Sequence, residues 1–150
     1  MASVVYNSFK QSIANGSIDL STDDIRVCLC MTSTTCDTDN DGMATLVNFG
    51  SGTGIDKHDG TNADNAKALA NEAVNLDDTN DRAEFDADDT TWTALGNGTR
   101  AIQGALIYKY VDGTDTNDIP IAFIDFAVAQ NPGGSDFTIT WNAEGILQLS

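Results

Sequence analysis

The residues most able to do chemistry form one acidic stretch, DTDNDG at positions 37–42. The alternation D-x-D-x-D-G is the first half of a calcium loop, in which three carboxylates converge on a hard cation and the glycine permits a sharp turn. The second half departs from that pattern, because Asn48 stands where a bidentate glutamate would close the site. Two interpretations remain: Asp37, Asp39 and Asp41 bind Ca²⁺, or they form a solvated acidic turn.

Other candidate reactive groups do not assemble into a recognisable catalytic motif. The single histidine, His58, lies in the polar segment DKHDG, with no nucleophile elbow, Walker loop, dinucleotide-binding glycine motif or histidine metal motif beside it. We expect it to be an ordinary exposed loop histidine. Cys28, Cys30 and Cys36 have no metal-type spacing, and we expect buried free thiols. The sequence predicts a protein that is not an enzyme and has no cofactor apart from the calcium interpretation.

Charge restricts the partners of the chain. Seven Lys and Arg stand against 23 Asp and Glu, which gives a formal net charge of -16. No basic stripe is present to neutralise phosphates, so we expect no nucleic-acid partner. No stretch approaches the ~20 apolar residues of a membrane span, and the first residues lack the pattern of a signal peptide, so we expect no membrane partner and folding in a cytoplasm.

The sequence patterns predict that most elements of the chain are β-strands. Residues 25–31 are apolar on both faces, as in a central buried strand. Further strand-like segments follow, separated by turn residues, at about 68–76, 82–86, 90–94, 99–111, 119–128, 136–142 and 145–149. The sequence predicts one all-β domain over residues 1–150, an antiparallel β-sandwich of jelly-roll-like form. Its predicted core contains Val27, Leu29, Ile107, Phe123, Ile124 and Ile139.

Two segments stand outside this sheet pattern. Val5, Phe9 and Ile13 recur at helical spacing, which predicts a short N-terminal helix over about 3–15, ended by Asn15-Gly16. Its apolar stripe either packs on the sheet as a lid or forms an interface with a neighbouring subunit. Residues 33–66 are rich in Asp, Asn, Thr and Gly, and we expect one long loop excursion with a brief strand or helical turn inside it.

Clusters of acids and aromatic residues have structural interpretations as well as functional ones. The acids at 86–89 and 112–118 are expected to be solvated turns rather than ligands. Trp92 and Trp141 could form a sugar-binding platform, but alternation within their strands favours packing in the core.

Several sequence segments of the chain are similar to those of a known protein family. The segments are VVYNSFK at 4–10, GSIDL at 16–20, NDRAEFDADD at 80–89, TWT at 91–93, GALIYK at 104–109, IAFIDF at 121–126 and DFTITWNAEGIL at 136–147. Together they make the chain resemble a family of small structural proteins encoded by tailed bacteriophages. The resemblance covers both ends and most of the second half.

This resemblance implies a non-enzymatic virion protein that is synthesised in the host cytoplasm. Within the family we expect a capsid decoration, or cement, protein: a homotrimer bound to the major capsid protein on the outer surface of the head. The alternative is a structural part of the tail, neck or fibre. From a different class, a soluble calcium- or glycan-binding β-sandwich module also fits the residues.

Overall fold

A computed structural model describes residues 2–37, 43–49, 55–64 and 66–150. Its helical elements are the α-helix α1, Asn7–Ala14, and a 3-10 helix, Leu46–Phe49. Its strands, in chain order, are β1 Val4–Val5, β2 Ile25–Met31, β3 Lys67–Ala68, β4 Ala73–Asp77, β5 Arg82–Asp86, β6 Thr90–Leu95, β7 Ile102–Lys109, β8 Ile119–Gln130, β9 Ser135–Ile139 and β10 Leu147–Leu149.

Within the described ranges the strands form a five-stranded sheet of order β1-β8-β7-β2-β3, a three-stranded sheet of order β10-β5-β4 and a two-stranded sheet of β6 and β9. Every pairing between these strands is antiparallel. The sheets share one hydrophobic core, to which they contribute Phe123, Phe85 and Trp92 respectively. The predicted class is therefore confirmed: an all-β, sandwich-like antiparallel fold with a short N-terminal helix.

The predicted central strand is confirmed, because β2 lies between β7 and β3 and is buried along nearly its whole length. Five of the six predicted core residues are buried, and the sixth, Ile124, is half-buried and packs against the core. Close packing of β7 on β8 depends on Gly104. A Cβ at that position would lie 2.5 Å from the Phe123 ring, so only glycine fits without a shift.

Several predicted boundaries were wrong. The helix begins at Asn7 rather than near residue 3, because Val4 and Val5 pair with Phe123 and Ala122 as a strand. The segment 68–76 is not one strand: it is interrupted between β3 and β4, where Asn71 has a φ of 56°. The excursion over 33–66 contains a helical turn, as one of the two alternatives predicted.

No helix among the described residues is both long enough and apolar enough to cross a bilayer.

Candidate assembly surfaces

The three-stranded sheet has one apolar face and one polar face. Its register places Val74, Phe85 and Leu147 in one row across the three strands, and Leu76, Ala83 and Leu149 in the next row. Directly opposed residues of antiparallel strands project to the same side, so both rows lie on one face. Asn75, Glu84 and Gln148 form a row on the opposite face.

Burial of the apolar face falls off towards β4. Phe85 and Leu147 are buried in the core, whereas Val74 is 48% exposed and Leu76 is 83% exposed. β4 is the edge strand of its sheet, so part of its backbone N–H and C=O groups is also unpaired by the sheet. We call strand residues 73–76, of which 74–76 are exposed, the β4 edge. Large exposed apolar side chains on a free strand edge are typical of a surface that another chain covers.

Ion pairs on the polar face link the β4–β5 hairpin to Glu144. The Arg82 guanidinium lies 3.0 Å from Asp77, 2.8 Å from Glu84 and 3.2 Å from Glu144. Hydrogen bonds from Asn80 and the nearby charge of Arg82 lower the pKa of Asp77. The β4 edge is therefore presented by an ordered hairpin.

A groove of about 550 Å³ opens at the β10 edge of the same sheet, opposite the β4 edge. It is lined by β1, β8 and β10 and by residues 139–142, and its apolar lining includes Val5, Phe126, Trp141 and Leu147. None of the described residues that line it is charged, although 20% of the chain is Asp, Glu, Lys or Arg. We call this feature the β1–β10 groove.

The backbone of β1 also faces this groove. Tyr6 N–H donates to Ile121 O at 3.1 Å, and Val4 lies opposite Phe123. Hydrogen-bonded and non-hydrogen-bonded pairs alternate along an antiparallel ladder, so Val4 bonds to β8 and Val5 turns its N–H and C=O away from β8. The groove therefore combines an apolar lining with free strand backbone.

The predicted N-terminal interface residues are largely used within the chain. Phe9 is fully buried, while Val5 and Ile13 are half-buried and pack against the core. The preceding Tyr6 is also fully buried; its hydroxyl donates to Cys36 O, and its ring meets Phe49 edge to face at 5.2 Å. This arrangement corresponds to the lid interpretation, and the part of the stripe left for a partner is the exposed surface of Val5 and Ile13.

The calcium interpretation stays a prediction. Asp37 is half-buried, and Asp39 and Asp41 lie outside the described residues. In the described part of the chain, no three His, Cys, Asp or Glu side chains are grouped so that they could hold a metal ion.

Asp118 corrects the expectation of a solvated turn at 112–118. It is 2% exposed, and its Oδ1 accepts the backbone N–H groups of Val111, Asp112 and Gly113 at 2.8, 3.4 and 3.3 Å. Asp112 is exposed, as predicted, and hydrogen bonds from Thr114 and Asn117 lower its pKa. The cluster is therefore a loop built around one buried carboxylate.

His58 was wrongly expected to be exposed. It is 4% exposed, and its Nε2 lies 3.0 Å from Gly96 O. Gly60 and Gly98 make this possible, because a Cβ at either position would lie within 3 Å of the imidazole. The signal in the sequence was the concentration of glycines in the two segments that enclose the ring.

The thiols and tryptophans behave as predicted. Cys28, Cys30 and Cys36 are buried and unpaired, and the neighbouring Cys28 and Cys36, together with burial, raise the pKa of Cys30. A buried thiol of raised pKa is inert rather than nucleophilic. Trp92 and Trp141 are both buried.

A second, polar pocket of about 570 Å³ is lined by Arg26, Lys57, Tyr108 and Tyr110, among others. Its cations are already engaged, since Arg26 lies 2.7 Å from Asp24 and 3.5 Å from the centre of the Tyr110 ring, and Lys57 lies 3.4 Å from Asp115. The pocket does not offer free positive charge to a ligand.

Most basic side chains of the molecule likewise form ion pairs with carboxylates of the same chain. At least six of the seven basic residues form ion pairs with carboxylates in the described part of the chain: Arg26, Lys57, Lys67, Arg82, Arg100 and Lys109. The outer surface is consequently acidic. Among the described residues, the uncharged β4 edge and β1–β10 groove are two surfaces that another protein chain could cover.

The β4 edge was not among the candidate surfaces that the sequence predicted. Its signal is the run Ala-Val-Asn-Leu at 73–76, which alternates like a strand yet adjoins a turn rich in Asp. Comparisons with protein-family models, with curated proteins and with solved structures found no match to this chain.

Proposed function

We propose that this chain is a non-enzymatic virion structural protein that decorates the outer surface of a capsid and stabilises the head. The observation that carries the proposal is the pair of uncharged apolar surfaces, the β4 edge and the β1–β10 groove, on an otherwise acidic domain. Surfaces of this kind on a small rigid domain favour a protein whose work is assembly with other chains.

The sequence resemblance to phage structural proteins supports a virion capsid as the assembly to which this chain binds. Its segments fall on elements that build the sheets: the segment 80–89 contains β5, and 121–126 lies within β8. The segments that carry the resemblance therefore include strands of the sheets. A small domain repeated over a symmetric shell multiplies a weak contact by the number of copies, which is the physical basis of cementing.

The net charge of the chain also supports the proposed function. A net charge of -16 keeps the free subunit soluble and discourages unspecific association before it meets its lattice. The major capsid protein is the proposed partner, and the outer face of the head is the proposed location. Nothing in the proposal requires nucleic acid or a membrane.

Reconstitution tests the proposal. The purified chain is added to empty shells of the major capsid protein of the encoding virus, and the shells are then sedimented. We expect saturable binding at a fixed ratio to the capsid protein and a raised melting temperature of the shell. Binding to purified tails but not to shells would overturn the capsid assignment in favour of the tail, neck or fibre alternative, and binding to neither would overturn both.

A further inference from the structure

We propose that the β4 edge of one copy docks into the β1–β10 groove of the next, so that the occupant of the groove is a second copy of this chain. The inference goes beyond the proposed function, because it concerns how copies bind each other rather than what they decorate. It starts from the order of one sheet, β10-β5-β4, in which the two surfaces lie at opposite edges.

Docking in this way continues the sheet from copy to copy. β10 lines the groove with Leu147 and Gln148, and β4 is the free strand at the far edge. A β4 placed beside the β10 of a neighbour extends its apolar rows, whose uncovered members are Val74 and Leu76. Addition of an edge strand to a sheet gains main-chain hydrogen bonds as well as burial of alternate side chains.

The backbone of β1, on the side of the groove opposite β10, could also pair with an incoming β4 strand. Val5 turns its N–H and C=O away from β8 and towards the groove, and an edge strand such as β4 directs part of its own backbone groups outwards. A strand lying between β1 and β10 would therefore find unpaired backbone beside it and apolar side chains beneath it.

Electrostatics favours this contact over others between two copies. Each copy carries a net charge of -16, so contacts through the acidic loops are repulsive. Residues 73–76 are Ala, Val, Asn and Leu, and the described lining of the groove is also uncharged. Of the two acids that flank these residues, Asp77 lies 3.0 Å from Arg82, and Glu72 is half-buried. Pairing these two surfaces lets copies approach while their free carboxylates stay in solvent.

The two surfaces are different, so the contact is heterologous. Such contacts form a closed ring when the rotation between copies closes, and a filament when it does not. In either case one contact of this kind joins each copy to a neighbour on both sides. Every copy then uses both its β4 edge and its groove.

Mixing of two blocked variants tests this arrangement in solution. Leu76→Asp blocks the β4 edge at a side chain that is 83% exposed. Thr140→Arg blocks the groove at an exposed lining residue and makes the net charge less negative, so general electrostatics alone would strengthen association. Val111→Asp is the control for Leu76→Asp, since it adds the same charge at another exposed valine. Circular dichroism of each variant verifies the fold.

Mass is measured by light scattering after size exclusion, in salt of at least about 0.1 M so that the Debye length is about 10 Å. We expect the parent and Val111→Asp to be oligomers and each blocked variant to be a monomer. Their equimolar mixture should form a dimer, because it pairs the intact edge of Thr140→Arg with the intact groove of Leu76→Asp. A monomeric parent, a blocked variant that keeps the parent mass, or a mixture that stays monomeric would overturn the inference.

This assay contains no capsid, so its failure and the failure of the proposed function are distinguishable. Loss of self-association would leave shell binding to be judged by the reconstitution experiment, and loss of shell binding would leave the contact between copies intact.

Discussion

Val74 and Phe85 lie directly opposite each other on neighbouring strands, yet Val74 is 48% exposed and Phe85 is 1% exposed. The hydrophobic core of the subunit therefore ends between β5 and β4, whereas the apolar face of the sheet extends onto β4. Residues on the inner side of this line stabilise the fold, and residues on the outer side are available to a partner.

This boundary predicts opposite effects of two substitutions. Phe85→Ala should lower the free energy of unfolding by about 3–5 kcal/mol, because it leaves a cavity in the core. Leu76→Asp should change it by no more than about 0.5 kcal/mol, since the side chain is exposed in the subunit. Denaturant unfolding at a concentration at which both variants are monomeric measures the difference. A large loss in Leu76→Asp would show that the β4 edge serves the fold rather than assembly.

The N-terminal segment should prove necessary for folding. Tyr6→Phe leaves Cys36 O without its buried donor and should cost about 1–2 kcal/mol. Deletion of residues 1–14 removes Tyr6 and Phe9 from the core and should unfold the domain, as monitored by far-ultraviolet circular dichroism. A truncated chain that keeps its β signal and melts cooperatively would contradict the lid interpretation and return the segment to the role of an interface arm.

Strand periodicity predicted much of this fold because most of its strands have an apolar pattern that is visible in the local sequence. β2 and β7 are apolar on both faces, and the structure buries them between other strands. Val5 was misassigned to the helix because Val5, Phe9 and Ile13 keep helical spacing, whereas pairing with Ala122 on β8 is a tertiary interaction that spacing cannot reveal. The same limit applies to the break at Asn71, where a positive φ separates β3 from β4.

The candidate surfaces were harder to predict than the fold. An exposed apolar residue such as Leu76 has the same sequence signature as a buried one, and the difference lies in whether another sheet covers it. Asp118 shows the reverse case, since its carboxylate resembles its solvated neighbours in sequence but is enclosed by the backbone of its own loop. The groove depends on the edges of two sheets that are far apart in sequence.

The loop around Asp118 gives a prediction about stability. Asp118→Ala leaves the N–H groups of Val111, Asp112 and Gly113 without their acceptor, and we expect a loss of about 2–4 kcal/mol in the free energy of unfolding. Asp112→Ala is the matched control, because Asp112 is an exposed carboxylate in the same loop, and its loss should be clearly smaller. Thermal or denaturant unfolding makes the comparison. Equal losses in the two variants would contradict the structural role of Asp118.

The calcium interpretation predicts a specific effect beyond charge screening. If Asp37, Asp39 and Asp41 bind Ca²⁺, then micromolar to millimolar calcium should raise the melting temperature above that of a sodium control of equal ionic strength, through preferential binding to the folded state. Replacement of all three by Asn should abolish that increment. An identical calcium response in the variant and the parent, or none in either, would identify the segment as a solvated acidic turn.

Copy number in the purified virion tests the central claim most directly. Quantitative mass spectrometry of particles from the proposed encoding virus gives the ratio of the chain to the major capsid protein. Decoration of the head predicts hundreds of copies per particle in a fixed ratio to the capsid lattice. A handful of copies per particle would place the protein at the neck, tail or fibre, and its absence from washed particles would contradict a virion function.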